Sequence, residues 1–145
     1  MRAWYLEDSP GEYRLGSVPE PAVGPRAGAG RGVASARNHN DTWVTRGLPR
    51  PKRFPHVPGA DGAGIVDSTG TEVVDWKPGD EVVCNAAVTS AEAIDRLGID
   101  SPFDPSLQLL GEHRWGTHGD MVVVPDHARA GRRAAPGRSA RPIRW

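Results

Sequence analysis

Within six residues the chain carries an amide, an imidazole, a carboxylate and an indole: Asn38, His39, Asp41 and Trp43. An amide N–H can polarise a carbonyl oxygen without a metal, and an imidazole with a carboxylate two residues on can ligate a metal or transfer a proton near neutral pH. A second carboxylate, Asp61, sits in the glycine-rich run Pro58-Gly59-Ala60-Asp61-Gly62-Ala63-Gly64. Glu112, His113 and His118 could be drawn as a third set of donors, and Cys84 as a thiol. Plain alternatives stand beside each. His39 has no second donor at metal-ligand spacing and fits a packed or solvent-facing side chain. The glycine run fits a turn leading into a buried strand, and Cys84 fits a half-buried strand position.

Two of these stretches together resemble the zinc-site region of medium-chain alcohol dehydrogenases. That family carries G-H-E-x-x-G where this chain has Gly59-Ala60-Asp61-Gly62-Ala63-Gly64, and A-S-x-x-C-x-T-D where it has Ala34-Ser35-Ala36-Arg37-Asn38-His39-Asn40-Asp41. The resemblance implies that Asn38, Ala60 and Asp61 replace the cysteine, histidine and glutamate, and that Asn40 replaces a proton-relaying hydroxyl. Asp41 alone is kept. A catalytic zinc needs about three nitrogen, sulfur or carboxylate donors, and alanine offers none. The resemblance is therefore to the zinc-independent quinone oxidoreductase and enoyl reductase relatives. It implies Asn38 and Asp41 as catalytic residues, with His39, Trp43 and Asp61 on the substrate side. It implies a small carbonyl, enone or quinone substrate, and NAD(P)H as the cofactor of the full-length family. No residue of this chain is assigned to the cofactor or to a metal. The loop Leu110-Gly111-Glu112-His113-Arg114-Trp115-Gly116 resembles a familiar scaffold loop of bacterial members, so His113 and His118 are read as scaffold.

Cysteine usage agrees with the loss of metal. Zinc-dependent members hold a structural zinc on four closely spaced cysteines, and this chain has one. No disulfide can form within it, which suits a reducing cytoplasm. The 18 Gly and 14 Pro among 145 residues are roughly twice the usual share, which favours a loop-rich β fold. No apolar run approaches the roughly 18 residues of a membrane span, and acidic Glu7, Asp8 and Glu12 interrupt any signal-like start. The net charge is zero, yet all 18 acidic residues lie at or before Asp126, while Arg129, Arg132, Arg133, Arg138, Arg141 and Arg144 follow it. A basic tail invites nucleic acid or an anionic membrane, but this one lacks aromatic interleaving or an apolar face, so neither partner is expected.

Alternation predicts strands over Arg2 to Leu6 and Tyr13 to Val18, joined across Ser9-Pro10-Gly11, and further strands over Gly62 to Asp67, Asp80 to Cys84 and Gly119 to Val124. Asn40 to Arg46 reads as a short helix capped by Asn40 and stopped by Gly47. A second helix follows the capping-box pair Thr89 and Glu92, with Ala93, Ile94 and Leu97 on one face and Gly98 as its stop. Pro51 to Pro58 should be an extended loop. The fold class implied is mainly β with short helices, a GroES-like partly open β-barrel over residues 1–128. Residues 129–145 are expected to be a disordered tail. The run Arg26 to Gly32 lacks the alternating apolar face of the long strand that the family places there, so that strand is expected to be degraded. Its Gly-x-Gly-x-Gly pattern is a poor phosphate loop, without the G-x-G-x-x-G spacing. Both odd stretches have the composition of GC-rich coding sequence in a shifted frame. The family's Rossmann domain should follow and does not, so the chain is expected to be a fragment inactive alone. A degenerate zinc-type dehydrogenase domain and a non-enzymatic binding or assembly module are the alternatives.

Overall fold

The computed structural model describes residues 1–97 and 103–131. Strands β1 (Arg2–Tyr5) and β2 (Arg14–Ser17) form an antiparallel pair in which Arg2 faces Ser17. Then come β3 (Ala27–Ala36), helix α1 (His39–Thr45), β4 (Asp61–Thr69), β5 (Glu81–Cys84) and β6 (Ala87–Val88). Helix α2 (Ala91–Leu97), β7 (Gln108–Leu109), β8 (Met121–Pro125), a single 3-10 turn (Asp126–Ala128) and β9 (Arg129–Gly131) complete the order. Five strands make the main sheet in the order β8-β3-β4-β5-β9, and β6 pairs with β7 apart from it. The architecture is mainly β with short helices, as the sequence implies.

The largest departure from expectation is β3. Residues 26–32 do not lack a strand, because Ala27 to Arg31 pair with β8 on one side and Gly28 to Ala36 pair with β4 on the other. A central strand takes its hydrogen bonds from two neighbours, so backbone pairing holds residues whose side chains bury little. The glycines permit a close approach: a Cβ on Gly64 of β4 would run into the Arg31 carbonyl of β3. Register shifts between Ala29 and Gly30 and between Gly32 and Ala34 mark where the ladder is irregular. Arg31 reaches outward and pairs with Asp67 at 2.7 Å.

Local signals account for most other bounds. Helix α1 begins one residue before the expected start, with Asn38 rather than Asn40 as its cap. Gly47, at φ +78°, follows as the left-handed stop. For α2 the cap is Ser90, whose Oγ accepts from the Ala93 N–H at 3.1 Å, rather than Thr89. The expected stop at Gly98 lies outside the described residues. So does most of the expected tail, but its first three residues form β9 against β5. Val88, Leu110, Val122, Val124 and Ala128 make one buried cluster, with Cys84 packed against it. Ala3, Val18 and Val57 make a second, flanked by Met1, Tyr5 and Trp115. Among the described residues no helix is long and apolar enough to cross a membrane.

Candidate functional site

The turn into α1 fixes the first part of the site. Asn38 is extended (φ −114°, ψ 157°), so its side chain reaches forward and accepts from the Asn40 N–H at 3.1 Å. Asp41, three residues on, returns the bond by accepting the Asn38 N–H on Oδ2 at 2.8 Å, closing a capping box. Its Oδ1 accepts the Gly59 N–H at 3.0 Å, which ties the helix to the turn before β4. Burial alone would raise the Asp41 carboxyl's pKa, but hydrogen bonds from His118, the Asn38 N–H and the Gly59 N–H outweigh it and hold the group below its ordinary range. Asp41 is thus a buried, ionised carboxylate. Tyr13 donates to the Asp41 carbonyl at 2.6 Å, and burial together with the Asp41 charge pushes its phenol well above its ordinary range.

The second part is carried by the chain before β8. Gly116, Thr117 and His118 donate their N–H groups to the carbonyls of Val57, Gly59 and Pro58 at 2.7, 2.9 and 3.0 Å, while the His118 carbonyl accepts from Trp4 at 2.8 Å. His118 is thereby held over the start of β4, with its side chain 13% exposed. Its Nε2 lies 3.3 Å from Asp41 Oδ2, and its Nδ1 lies 2.6 Å from Ser35 Oγ on β3. Gly59 makes the approach possible. It sits at φ +104°, and a Cβ there would stand 2.8 Å from His118 Nδ1 and 2.7 Å from Thr117 Oγ1.

These groups border an open groove of about 810 Å³, walled by Trp4, Tyr13, Leu15, Ser35, Arg37 and His118 among others. Asp41 forms part of the wall. Asn38 and Asp61 are not among the groove's lining residues; they are joined to each other, the Asn38 amide Nδ2 donating to Asp61 Oδ2 at 2.8 Å. His39 and Trp43 lie off the groove wall and stack edge-on, with ring centroids 5.1 Å apart. Sequence reasoning passed over His118 because its partners stand 77 and 83 residues away. The one local signal was a histidine next to Thr117 just before a strand. His113 belongs to no shared metal set, since its Nδ1 takes the Leu109 N–H at 3.2 Å. Among the described residues no group of three or more His, Cys, Asp or Glu side chains could hold a metal.

The mainly β fold is that of an N-terminal domain of the medium-chain dehydrogenases. The alcohol dehydrogenase GroES-like domain matches residues 31–131, and the chain belongs to that family. It is 36% identical over 96 residues to a zinc-type alcohol dehydrogenase-like protein of Schizosaccharomyces pombe, covering 66% of this chain and 26% of that protein. It is 31% identical over 150 residues to crotonyl-CoA reductase of Streptomyces avermitilis, covering 85% and 34%. Among solved structures, an NAD-dependent alcohol dehydrogenase superposes with a TM-score of 0.80 at 39% identity, over 90% of this chain and 39% of that one. The chain thus spans roughly a quarter to two-fifths of the length of these relatives.

Proposed function

We propose that this chain is the substrate-side domain of a zinc-independent, NAD(P)H-dependent oxidoreductase acting on a small carbonyl, enone or quinone in a reducing cytoplasm. The observation that carries the reading is the Asn38–Asp61 hydrogen bond at 2.8 Å, made between two positions where zinc-dependent members place ligands. Asn38 gives its side-chain oxygen to the helix cap and one amide hydrogen to Asp61. Ala60, at the third position, is 5% exposed and has no donor atom. These residues do not fit a catalytic zinc. A bound dihydronicotinamide would supply hydride; the chain's own part is to hold the substrate in the groove and provide hydrogen-bond donors at its oxygen. Asn38 retains a second amide hydrogen for that purpose.

Supporting this reading, the relatives include a mouse quinone oxidoreductase, 35% identical over 74 residues, which cover half of this chain and 22% of that protein. The test is elemental analysis of the purified chain after dialysis against zinc and then against buffer. The expected result is far below one zinc per chain, and the same after Asn38→Ser. One retained equivalent that Asp61→Asn removes would assign the chain to the zinc-type branch instead.

A further inference from the structure

We propose that Ser35, His118 and Asp41 form a proton relay opening on the groove, which delivers the proton that a carbonyl oxygen takes up on reduction. The inference rests on the oxidoreductase reading above. A carbonyl that accepts hydride at carbon must gain a proton at oxygen, and without a metal that proton needs a positioned acid. Asn40, which stands at the position of the family's relay hydroxyl, cannot serve. Its side chain is buried, and its Oδ1 is the buried side-chain atom without a hydrogen-bond partner among the described residues.

Another hydroxyl is in place. Ser35 Oγ lies on the groove wall, 2.6 Å from His118 Nδ1, while Nε2 on the far side of the ring faces the buried Asp41 carboxylate at 3.3 Å. Asp41 can only accept, so it fixes the tautomer with hydrogen on Nε2. With a proton on each nitrogen the ring donates on both sides, and the Ser35 hydroxyl hydrogen is free to turn toward the groove. At rest Ser35 has two alternative acceptors, Thr117 Oγ1 at 2.9 Å and the Asp61 carbonyl at 3.2 Å. Thr117 itself is anchored by donating to the Asp61 carbonyl at 2.8 Å.

The remaining charged groups on the wall are engaged or not in contact with the ring. Asp120 accepts the Arg2 N–H at 2.8 Å, and Tyr13 is spent on the Asp41 carbonyl. Arg2 and Arg37 also line the groove, and among the described residues the ring's hydrogen-bond partners are Ser35 and Asp41. The transfer balances. Hydride from a dihydronicotinamide reaches the carbonyl carbon, the carbonyl π pair takes the Ser35 proton, and Ser35 recovers one from His118 Nδ1. The ring is left neutral, keeping its Nε2 hydrogen and donating it in a hydrogen bond to Asp41, and solvent reprotonates Nδ1.

The wiring is tested on the full 145-residue chain without cofactor, by long-range proton–nitrogen NMR of the histidine rings. The expected neutral form of His118 carries its hydrogen on Nε2, and Ser35→Ala shifts the Nδ1 resonance by several ppm while leaving the tautomer unchanged. A neutral form protonated on Nδ1, or an Nδ1 resonance unmoved by Ser35→Ala, would overturn the relay. Its catalytic effect is read after joining the chain to a nicotinamide-binding domain of a zinc-free relative. Ser35→Ala and His118→Gln should each lower kcat by about 10²-fold with KM little changed, and His118→Gln should abolish the fall in rate at high pH. Turnover with an unmoved pH profile in His118→Gln sinks the relay alone. Absence of turnover in the unmodified fusion counts against the oxidoreductase reading, while the NMR result still decides the relay.

Discussion

Asp41 is the residue on which most of the site converges, because a single buried carboxylate closes the α1 cap, anchors the Gly59 turn and faces His118. Removing it would leave the Gly59 N–H without its acceptor and open the capping box. A lost cap costs about 1 kcal/mol and an unsatisfied buried donor about 1–3, so Asp41→Ala should destabilise the fold by about 2–4 kcal/mol. The pH dependence follows from the sign of its shift. The folded state holds this carboxyl below its ordinary range, so the unfolded chain binds the proton more readily. The stabilisation is complete above about pH 4 and is lost as pH falls through the folded-state value. Urea unfolding at pH 7 and pH 3 should therefore show the gap between wild type and Asp41→Ala narrowing at the lower pH. A gap that is constant or wider at pH 3 would mean the carboxylate's charge is not what stabilises the turn.

At the level of elements, β3 shows where side-chain patterning stops being informative. The hairpin, β4, β5 and β8 were legible because alternating apolar residues and turn glycines specify them directly. Strand β3 was not, since Ala27 to Gly32 carry almost no apolar pattern and the strand is held by the backbone ladders of β4 and β8. The capping residue of α1 was misplaced by two positions for a related reason: Asn38 and Asn40 are equally good caps, and the choice is made by Asp41 returning the bond to the Asn38 N–H. Asn38, Asp41 and Asp61 could be singled out from motif spacing, whereas His118 and Ser35 meet only through the packing of residues 116–118 along 57–59. The glycines of the ladder themselves divide into two kinds. Gly30 is buried, has φ outside the positive range, and a Cβ there would meet only the Ile65 carbonyl at 3.7 Å. Gly64 has no such room. Gly30→Ala should stabilise the chain by about 0.5–1 kcal/mol by restricting the unfolded state, while Gly64→Ala should destabilise it. Thermal unfolding of the two variants checks this, and equal effects would mean that the close β3–β4 approach is not required.

For the whole molecule, the decisive feature is a groove that stands open to solvent. Trp4, Leu15 and Val33 stand along it at 49%, 51% and 70% exposure, an apolar content that a water-facing surface does not need. The solved NAD-dependent alcohol dehydrogenase is more than twice as long as the segment matched here, and in the present reading a nicotinamide-binding domain supplies the opposite wall. The 145-residue chain alone should then bind NADPH no better than a non-specific anion and should not reduce enones or quinones. Since β3 is formed, fusion to the nicotinamide-binding domain of a zinc-free relative should need no repair of residues 26–32 to give turnover. In that fusion the informative variant of the amide is Asn38→Ser rather than Asn38→Ala. Serine preserves a cap acceptor for α1, so the loss is confined to the amide hydrogens. If the remaining hydrogen polarises the reacting carbonyl, kcat should fall on the order of 10²-fold with the unfolding midpoint nearly unchanged. Undiminished kcat in Asn38→Ser would show that the amide serves only the helix cap and Asp61, and NADPH oxidation by the unfused chain would show that the groove does not depend on a second wall.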